Sequence, residues 1–229
     1  MTAPSWEQDY RGDLSRIQAN VAGLLADLRE ETAQRTFPDK TTMRIWHSRL
    51  YAGCRVPVAG YVGHFRGDPS VPELTEYEVG IGLEQTDGLP EKLGVWAADL
   101  DRELDGVLVG LHAALRFLDP RFPVGQRPTT ADDLRLLVEM VALAHGEWIR
   151  LHPFVNGNGR TARVWAAFVC LRYSLPLFLA LKPRTEDLAY ARAGRDSMGR
   201  PPDFAGNHST AVAVFGHLLT LSLLEDRTG

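Results

Sequence analysis

One stretch of twelve residues, His152 to Arg163, constrains the fold of this 229-residue chain more than any other; it reads HPFVNGNGRTAR. Its second residue, Pro153, cannot continue a helix, because proline lacks the backbone N–H and disfavours helical geometry in the residue before it. A helical pattern of apolar residues runs directly into the stretch, and another follows its glycines. The sequence therefore predicts two helices joined by a short loop.

Apolar residues recur at intervals of three and four through most of the chain, which is the period of an amphipathic helix. The segment Gly60–Gly82 differs, because strand-forming residues flank a Gly-Asp-Pro-Ser turn and predict one β-hairpin lying across a helical body. We therefore expect an all-α domain with one hairpin. The predicted helices cover about residues 13–35, Thr41 or Thr42 to Tyr51, a long pattern after Pro90 from Leu93 to Leu118, Thr130 to Leu151, a run after Gly159 that ends before Pro176, about Thr185 to Ser197, and about 208–224.

The bulk properties predict a single domain over residues 1–229, since this length matches one sizeable core. A formal net charge of -4 and a pI near 6.0 give no overall basic field, so we expect no nucleic-acid partner. Neither a secretory signal nor a membrane span is recognisable. With only two cysteines, Cys54 and Cys170, a reducing cytoplasmic location is the expectation.

The glycines of the twelve-residue stretch predict an anion site. Gly157, Asn158 and Gly159 lie where the loop becomes a helix, so their N–H groups lack intrahelical acceptors. These groups lie at the positive end of the helix dipole, which favours an anion. Two arginines follow, Arg160 and Arg163, and their spacing of three places them on one helical face. Together these residues predict a cradle for a diphosphate or triphosphate.

His152 lies at the other end of the same loop and is the candidate general base. Imidazole has an unperturbed pKa near 6.5 and can accept a proton from a hydroxyl at neutral pH. A metal hydrolase site built from His145, Glu147 and His152 is disfavoured, because the two histidines are not four apart and Glu147 points away from His145 on a helix. The sequence thus predicts phosphate-binding groups next to a base.

The pattern His-Pro-Phe-x-x-Gly-Asn-Gly-Arg-x-x-Arg resembles the signature motif of the Fic (filamentation induced by cAMP) family, and it is flanked by helices as in that family. The resemblance extends over about residues 40–195. It implies a Fic-like helical bundle with one β-hairpin flap, to which the helices at about 13–35 and 208–224 would be added. The flap would dock the target through Tyr61, Val62, Gly63, His64, Phe65 and Arg66.

The implied reaction is protein adenylylation (AMPylation), in which AMP passes from ATP to a hydroxyl of a target protein and diphosphate is released. The resemblance makes His152 the base for the attacking hydroxyl and the backbone of Gly157–Gly159 an anion hole. Asn158 and Arg160 would hold the phosphates, and Arg163 would assist at their distal end. Phosphoryl transfer mainly requires positioning and charge stabilisation, which these groups are suited to supply.

Asn156 departs from the family pattern, in which an aspartate or glutamate at this position binds Mg²⁺. Asparagine offers a carbonyl oxygen but no charge, whereas Mg²⁺ sites usually include one or two carboxylates. Mg²⁺ binding is therefore expected to be weakened. Three outcomes stay open: a weaker metal-assisted transferase, a transferase that uses another phosphate-containing donor or depends less on metal, and a nucleotide-binding regulatory protein with little catalysis.

The resemblance also bears on partners. The target would be a protein with a serine, threonine or tyrosine hydroxyl, and the sequence does not define the oligomeric state. Many Fic proteins are restrained by a helix with the pattern Ser/Thr-x-x-x-Glu-Gly/Asn; Ser15–Asn20 fits this short frame, which also recurs by chance, but has Ala19 in place of the glutamate. We therefore expect no self-inhibition through that glutamate, and any restraint would come from a separate antitoxin-like partner.

Overall fold

The computed structural model of the chain describes residues 3–6, 8–80, 93–181 and 188–228, and the all-α prediction is confirmed within these ranges. The helices are close to their predicted positions. They are α1 (Leu14–Ala33), α2 (Lys40–Leu50), α3 (Leu100–Leu118), α4 (Ala131–Leu151), α5 (Asn158–Arg172), α6 (Leu188–Ser197) and α7 (Ser209–Thr228). No helix in these ranges has the length and apolar character needed to cross a membrane.

Helix α5 forms the centre of the bundle and packs against α1, α2 and α4, while α7 packs against α4 and α6. Its apolar residues are buried on all sides, which fits a helix surrounded by others. Trp165 of α5 meets Trp46 of α2 edge to face at 5.3 Å between ring centroids, and both are almost fully buried. The twelve-residue stretch is therefore attached to a helix whose side chains are buried in the core.

The starts of two helices differ from the sequence prediction. Helix α2 begins at Lys40, before the predicted Thr41 or Thr42, because Asp39 is the N-cap and its Oδ1 accepts a hydrogen bond from the Thr42 N–H at 2.7 Å. Helix α3 begins only at Leu100, although helical spacing extends back to Leu93. Residues 93–99 are not helical and lie beside residues 78 and 79 instead. Gly94 N donates to Val79 O at 3.0 Å, and Ala97 N donates to the Glu78 carboxylate at 2.9 Å.

The predicted β-hairpin over Gly60–Gly82 is not confirmed. Its described part, residues 60–80, contains the 3₁₀ helices Ala59–Tyr61 and Pro72–Leu74 and no strand. Within the described ranges, one antiparallel bridge pairs Gly80 with Leu93. The predicted positions 81 and 82 lie outside the described residues. Two of the apolar residues that suggested strands, Tyr61 and Phe65, are buried in the core instead.

An ion-pair cluster joins the ends of α1, α3 and α5. Arg172 of α5 is bidentate to Asp119, with Nε–Oδ1 and Nη2–Oδ2 distances of 2.9 and 2.7 Å, and it also donates to the carbonyl of Thr36 at 2.7 Å. Asp119 accepts further hydrogen bonds from Arg35 and Tyr173. This cluster lies at the end of α5 opposite the twelve-residue stretch.

Candidate active site

The side chain of His152 is held in one tautomer. His152 ends α4 in the left-handed region, at φ 49°, and its Nδ1 lies 3.1 Å from the carbonyl oxygen of Ile149. Because a carbonyl only accepts hydrogen bonds, Nδ1 carries the proton and Nε2 keeps its lone pair. Burial, together with the nearby charge of Arg66, lowers the pKa of His152 to about 4 against the opposing effect of the Ile149 carbonyl. The imidazole is therefore neutral at pH 7, as a general base requires.

Arg66 lies beneath His152 and holds the end of α4. Its Nε donates to the carbonyl of His152 at 2.8 Å, and its Nη2 donates to the carbonyls of Leu151 and Val95 at 3.1 and 2.7 Å. The last carbonyls of a helix have no intrahelical donor, so this guanidinium satisfies groups that burial would otherwise leave unpaired. Glu78 pairs with Arg66 at 3.0 Å. Arg66 thus fixes the backbone that carries the base.

The residues predicted to dock a target, Tyr61, Val62, Gly63, His64, Phe65 and Arg66, differ in their burial. Tyr61, Phe65 and Arg66 are almost fully buried, and the Gly63 N–H is bonded inside the protein. Val62 and His64 are half-buried, and His64 contacts Asp68 at 3.0 Å. A buried side chain cannot contact a target, so Tyr61, Phe65 and Arg66 support the site instead. Docking through the half-buried Val62 and His64 stays a prediction.

Asn158 braces the loop from within. Its Oδ1 accepts from the Phe154 N–H at 2.8 Å, and its Nδ2 donates to the Phe154 carbonyl at 2.7 Å. The acceptor and the donor of the Asn158 amide therefore both bond to the backbone of Phe154, and the side chain is buried. The resemblance assigned the Asn158 side chain to the phosphates, but in this structure it shapes the loop, and Phe154 anchors that loop in the core.

The predicted anion cradle lies at the N-terminus of α5. Gly157 is the N-cap residue at φ 85°, where a Cβ would come within 2.8 Å of the Tyr51 ring, so glycine is required both by conformation and by space. Asn158 and Gly159 begin the helix, and their N–H groups belong to the first turn, which has no intrahelical acceptors. Arg160 follows on the same turn and contacts the Tyr51 hydroxyl and the Asp9 carboxylate.

Arg163 differs from Arg160 in its surroundings. It is buried, and its Nη2 and Nη1 donate to the Leu181 carbonyl at 3.1 Å and to the Tyr190 hydroxyl at 3.2 Å. Tyr190 also contacts Nε2 of the buried His145 at 3.0 Å. A Cβ on Gly159 would still lie 3.6 Å from Arg163 Nη1. The guanidinium therefore remains next to the first turn of α5, although its hydrogen bonds point into the protein.

The residues around Asn156 do not form a ready Mg²⁺ site. Asn156 Oδ1, the only atom of this side chain that can bind a cation, accepts the Gly157 N–H at 2.6 Å. Its Nδ2 faces Asp9 Oδ1 at 3.5 Å, and Asp9 is paired with Arg160. In the described ranges, moreover, no three histidine, cysteine or acidic residues cluster as metal ligands would. The donor set therefore does not fit a divalent cation in this conformation.

His47 of α2 also shapes the loop, and the sequence prediction missed it. Its Nδ1 accepts the Gly63 N–H at 3.0 Å, so the proton is on Nε2, which donates to the Asn156 carbonyl at 3.0 Å. The ring stacks on Phe154 at 3.8 Å between centroids. Burial lowers the pKa of His47 to about 3, so it stays neutral. The one signal in the sequence is its position on the apolar face of α2.

Two substitutions of His47 test its two hydrogen bonds separately. Gln places an amide near the position of Nε2 and keeps the donor to Asn156, whereas Asn places one near Nδ1 and keeps only the acceptor for Gly63. Because displacing a catalytic loop by about 1 Å can cost ~10² in rate, we expect His47→Asn to be roughly tenfold less active than His47→Gln. Thermal unfolding and kcat/KM would be measured together. Equal losses of activity at equal stability would show that His47 only packs.

Both the sequence and the fold of this chain are similar to those of known proteins. A family model described as the Fic/DOC family matches residues 38–170. A Fic domain containing signalling protein from Bacteroides thetaiotaomicron superposes with a TM-score of 0.67 at 18% identity, covering 91% of this chain and 69% of that one. No curated protein matched the sequence.

Two Bartonella effector proteins share the fold at lower similarity. The BepC protein of Bartonella tribocorum, solved with bound AMPPNP, gives a TM-score of 0.56 at 14% identity and covers 89% of this chain and 84% of that one. The Fic domain of a Bep protein from Bartonella sp. AR 15-3 gives 0.53 at 15%, with 88% and 79% covered. At such identities the likeness shows the fold.

Proposed function

Because the chain belongs to the Fic/DOC family, we propose that it transfers AMP from ATP to a serine, threonine or tyrosine hydroxyl of a target protein and releases diphosphate. The observation that carries this proposal is the fixed tautomer of His152, whose Nδ1 bonds to the Ile149 carbonyl at 3.1 Å. This leaves Nε2 as a proton acceptor at one end of the loop, and the anion cradle lies at the other. The proposal is supported by one short loop that carries both the candidate base and the residues of the predicted phosphate cradle.

In the proposed reaction, the target hydroxyl attacks the α-phosphorus of ATP and gives its proton to His152 Nε2. A bond forms between the hydroxyl oxygen and the α-phosphorus, while the bond from the α-phosphorus to its bridging oxygen breaks. Diphosphate leaves with the electron pair. Arg66 and His47 act as positioning residues, because they hold the carbonyls of His152 and Asn156 at the two sides of the loop.

Charge stabilisation at the phosphates falls to the N-terminus of α5 and to Arg160. A helix N-terminus carries roughly +0.5 elementary charge, and preorganised donors of this kind cost little reorganisation during reaction. Arg160 lies on the first turn of α5, and its side chain retains 12% of its exposure. In the family at large Mg²⁺ would neutralise phosphate charge, but the Asn156 oxygen faces Gly157 here, so we derive no step through a metal.

The test is label transfer from ATP. Purified protein would be incubated with ATP labelled at the α- or the γ-phosphate, with and without Mn²⁺, and with a hydroxyl-bearing target or with itself as acceptor. Label from the α-phosphate alone supports adenylylation. Label from the γ-phosphate alone would show transfer of a phosphoryl group and contradict the proposed reaction. Absence of label from both positions, with ATP still bound, would leave a nucleotide-binding protein.

That last alternative, a nucleotide-binding regulatory protein with little catalysis, is favoured by one observation. The twelve-residue stretch contains no carboxylate, and the Asn156 oxygen that stands in its place is bonded within its own loop. Titration calorimetry separates the two functions, because a regulatory binder should bind ATP and lose that binding in Arg160→Ala without turning over. Turnover that depends on His152 would exclude this alternative.

A further inference from the structure

A segment before the first helix is anchored against the candidate site. We call this segment, residues 3–6 and 8–10, the strap. Its Trp6 is 3% exposed and meets the Tyr51 ring edge to face at 4.7 Å between centroids. The Tyr61 hydroxyl also donates to the Pro4 carbonyl at 2.7 Å. The strap is therefore packed on Tyr51 and Tyr61, and Tyr51 lies next to Gly157 at the cradle. Trp6 is only three positions before Asp9.

Asp9 reaches the cradle from this anchor. Its Oδ2 forms an ion pair with Arg160 Nη2, and its Oδ1 lies 3.4 Å from the Tyr51 hydroxyl and 3.5 Å from Asn156 Nδ2. The side chains of Asp9 and Arg160 are only 9% and 12% exposed. Tyr51 and Asp9 therefore already occupy both terminal nitrogens of the Arg160 guanidinium.

We propose that Asp9 occupies the phosphate seat at Arg160 as an internal anion, so that the strap must move away before the phosphates of a nucleotide can bind. The inference rests on the proposed function, since it takes Arg160 as a phosphate ligand. A carboxylate and a phosphate use the same charge-assisted hydrogen bonds from a guanidinium. The two anions therefore compete for one group, and the strap lowers the apparent affinity for nucleotide.

The strap also gives a physical reason for the asparagine at position 156. The Asn156 amide presents Nδ2, a hydrogen-bond donor, toward Asp9. An aspartate at this position would bring two carboxylates together at nearly the same separation, and like charges so close repel. Asn156 thus matches a strap that carries an acid. The restraint comes from Asp9 upstream of α1, and Ala19 within α1 carries no acid to supply it.

The test uses Asp9→Asn, which keeps the size of the side chain and removes its charge. Binding of inorganic diphosphate would be measured by titration calorimetry on the full chain with a chelator present. If the strap is displaced in about 1–10% of molecules, the apparent affinity for diphosphate is lowered about 10–100-fold. We therefore expect Asp9→Asn to bind diphosphate more tightly than the unsubstituted protein by about that factor. Asp132→Asn is the matched control, because it removes an exposed charge near the start of α4, about 30 Å along the helix from His152.

A second measurement follows the strap itself. Asn156→Asp places a repelling carboxylate opposite Asp9, so we expect faster hydrogen exchange of residues 8–13 in this variant without any ligand. In the unsubstituted protein, the same exchange should accelerate when diphosphate is added. Unchanged exchange in Asn156→Asp would overturn the inference, because the strap would then be held independently of Asp9.

The outcomes distinguish this inference from the proposed function. Diphosphate binding of equal strength in Asp9→Asn and the unsubstituted protein would overturn the strap and leave the cradle intact. Weaker binding of diphosphate with Mn²⁺ in Asp9→Asn would make Asp9 a metal ligand and also overturn it. If neither protein binds diphosphate under any condition, the phosphate cradle itself is refuted, and the inference falls with it.

Discussion

Replacing His152 with asparagine is expected to lower the rate of transfer by a factor of about 10²–10⁴, the usual contribution of a general base. Asparagine is a close test, because its amide can take the place of Nδ1 and donate to the Ile149 carbonyl. It also tolerates the left-handed backbone at φ 49° better than most residues. The substitution thus removes Nε2 while the loop keeps its geometry.

The measurement is single-turnover label transfer, with thermal unfolding and nucleotide affinity determined in parallel. We expect both of these to match the unsubstituted protein, since Nε2 makes its contribution in the transition state. A transfer rate equal to that of the unsubstituted protein would remove His152 as the base. Equal loss in affinity and rate would instead indicate that the histidine binds nucleotide.

The pH dependence of kcat/KM provides a second reading of the same residue. Burial lowers the pKa of His152 to about 4, and the active form of a base is the unprotonated one. Activity should therefore persist through pH 5–6 and fall only as the pH approaches 4. An acid limb near 6.5, the ordinary value for imidazole, would show that the free enzyme exposes His152 to solvent.

The second large effect concerns stability, and it lies in the Asp119 cluster. Substitution of Asp119 by asparagine leaves the charge of Arg172, whose side chain is fully buried, without its carboxylate. Breaking a buried ion pair costs about 3–5 kcal/mol. Asp119 retains 21% exposure, so we expect the low end, about 3 kcal/mol, in the free energy of unfolding from urea denaturation.

Asp101→Asn is the matched control, because Asp101 pairs with Lys40 on the surface and is 85% exposed. Its loss should be below about 1 kcal/mol. A similar small effect for Asp119→Asn would show that water screens Arg172. Burial alone would raise the pKa of Asp119, but Arg172, Tyr173 and Arg35 lower it overall. Its stabilisation is therefore present above the unfolded pKa near 3.9 and lost as the pH falls further.

The sequence predicted those parts of the site that are local in the chain. His152, Pro153 and Gly157 could be placed because a proline ends one helix and a glycine at positive φ begins the next. Helix periodicity likewise located α4 and α5 to within about two residues, the usual scatter of helix boundaries. These inferences needed no knowledge of distant contacts.

The parts that were missed depend on residues far apart in sequence. Arg66 and His47 approach the loop across 86 and 109 positions, and no local pattern reports such contacts. The hairpin prediction is not confirmed for a related reason. Aromatic residues such as Tyr61 and Phe65 are typical of strands, but Phe65 is buried against Trp148 of α4 and Phe154 of the loop, and Tyr61 packs on Trp6.

The separation between Asp9 and Arg160, which is 151 positions, also sets an order of events during synthesis. The helical hairpin of α4 and α5 is contiguous in the chain, and contacts between near neighbours form quickly. At about 5–20 residues per second, the ribosome adds those 151 positions in about 8–30 s. For that interval Asp9 exists without the arginine it will meet. The proposed anion cradle is therefore completed late in synthesis, and only from then on do Asp9 and a phosphate compete for Arg160.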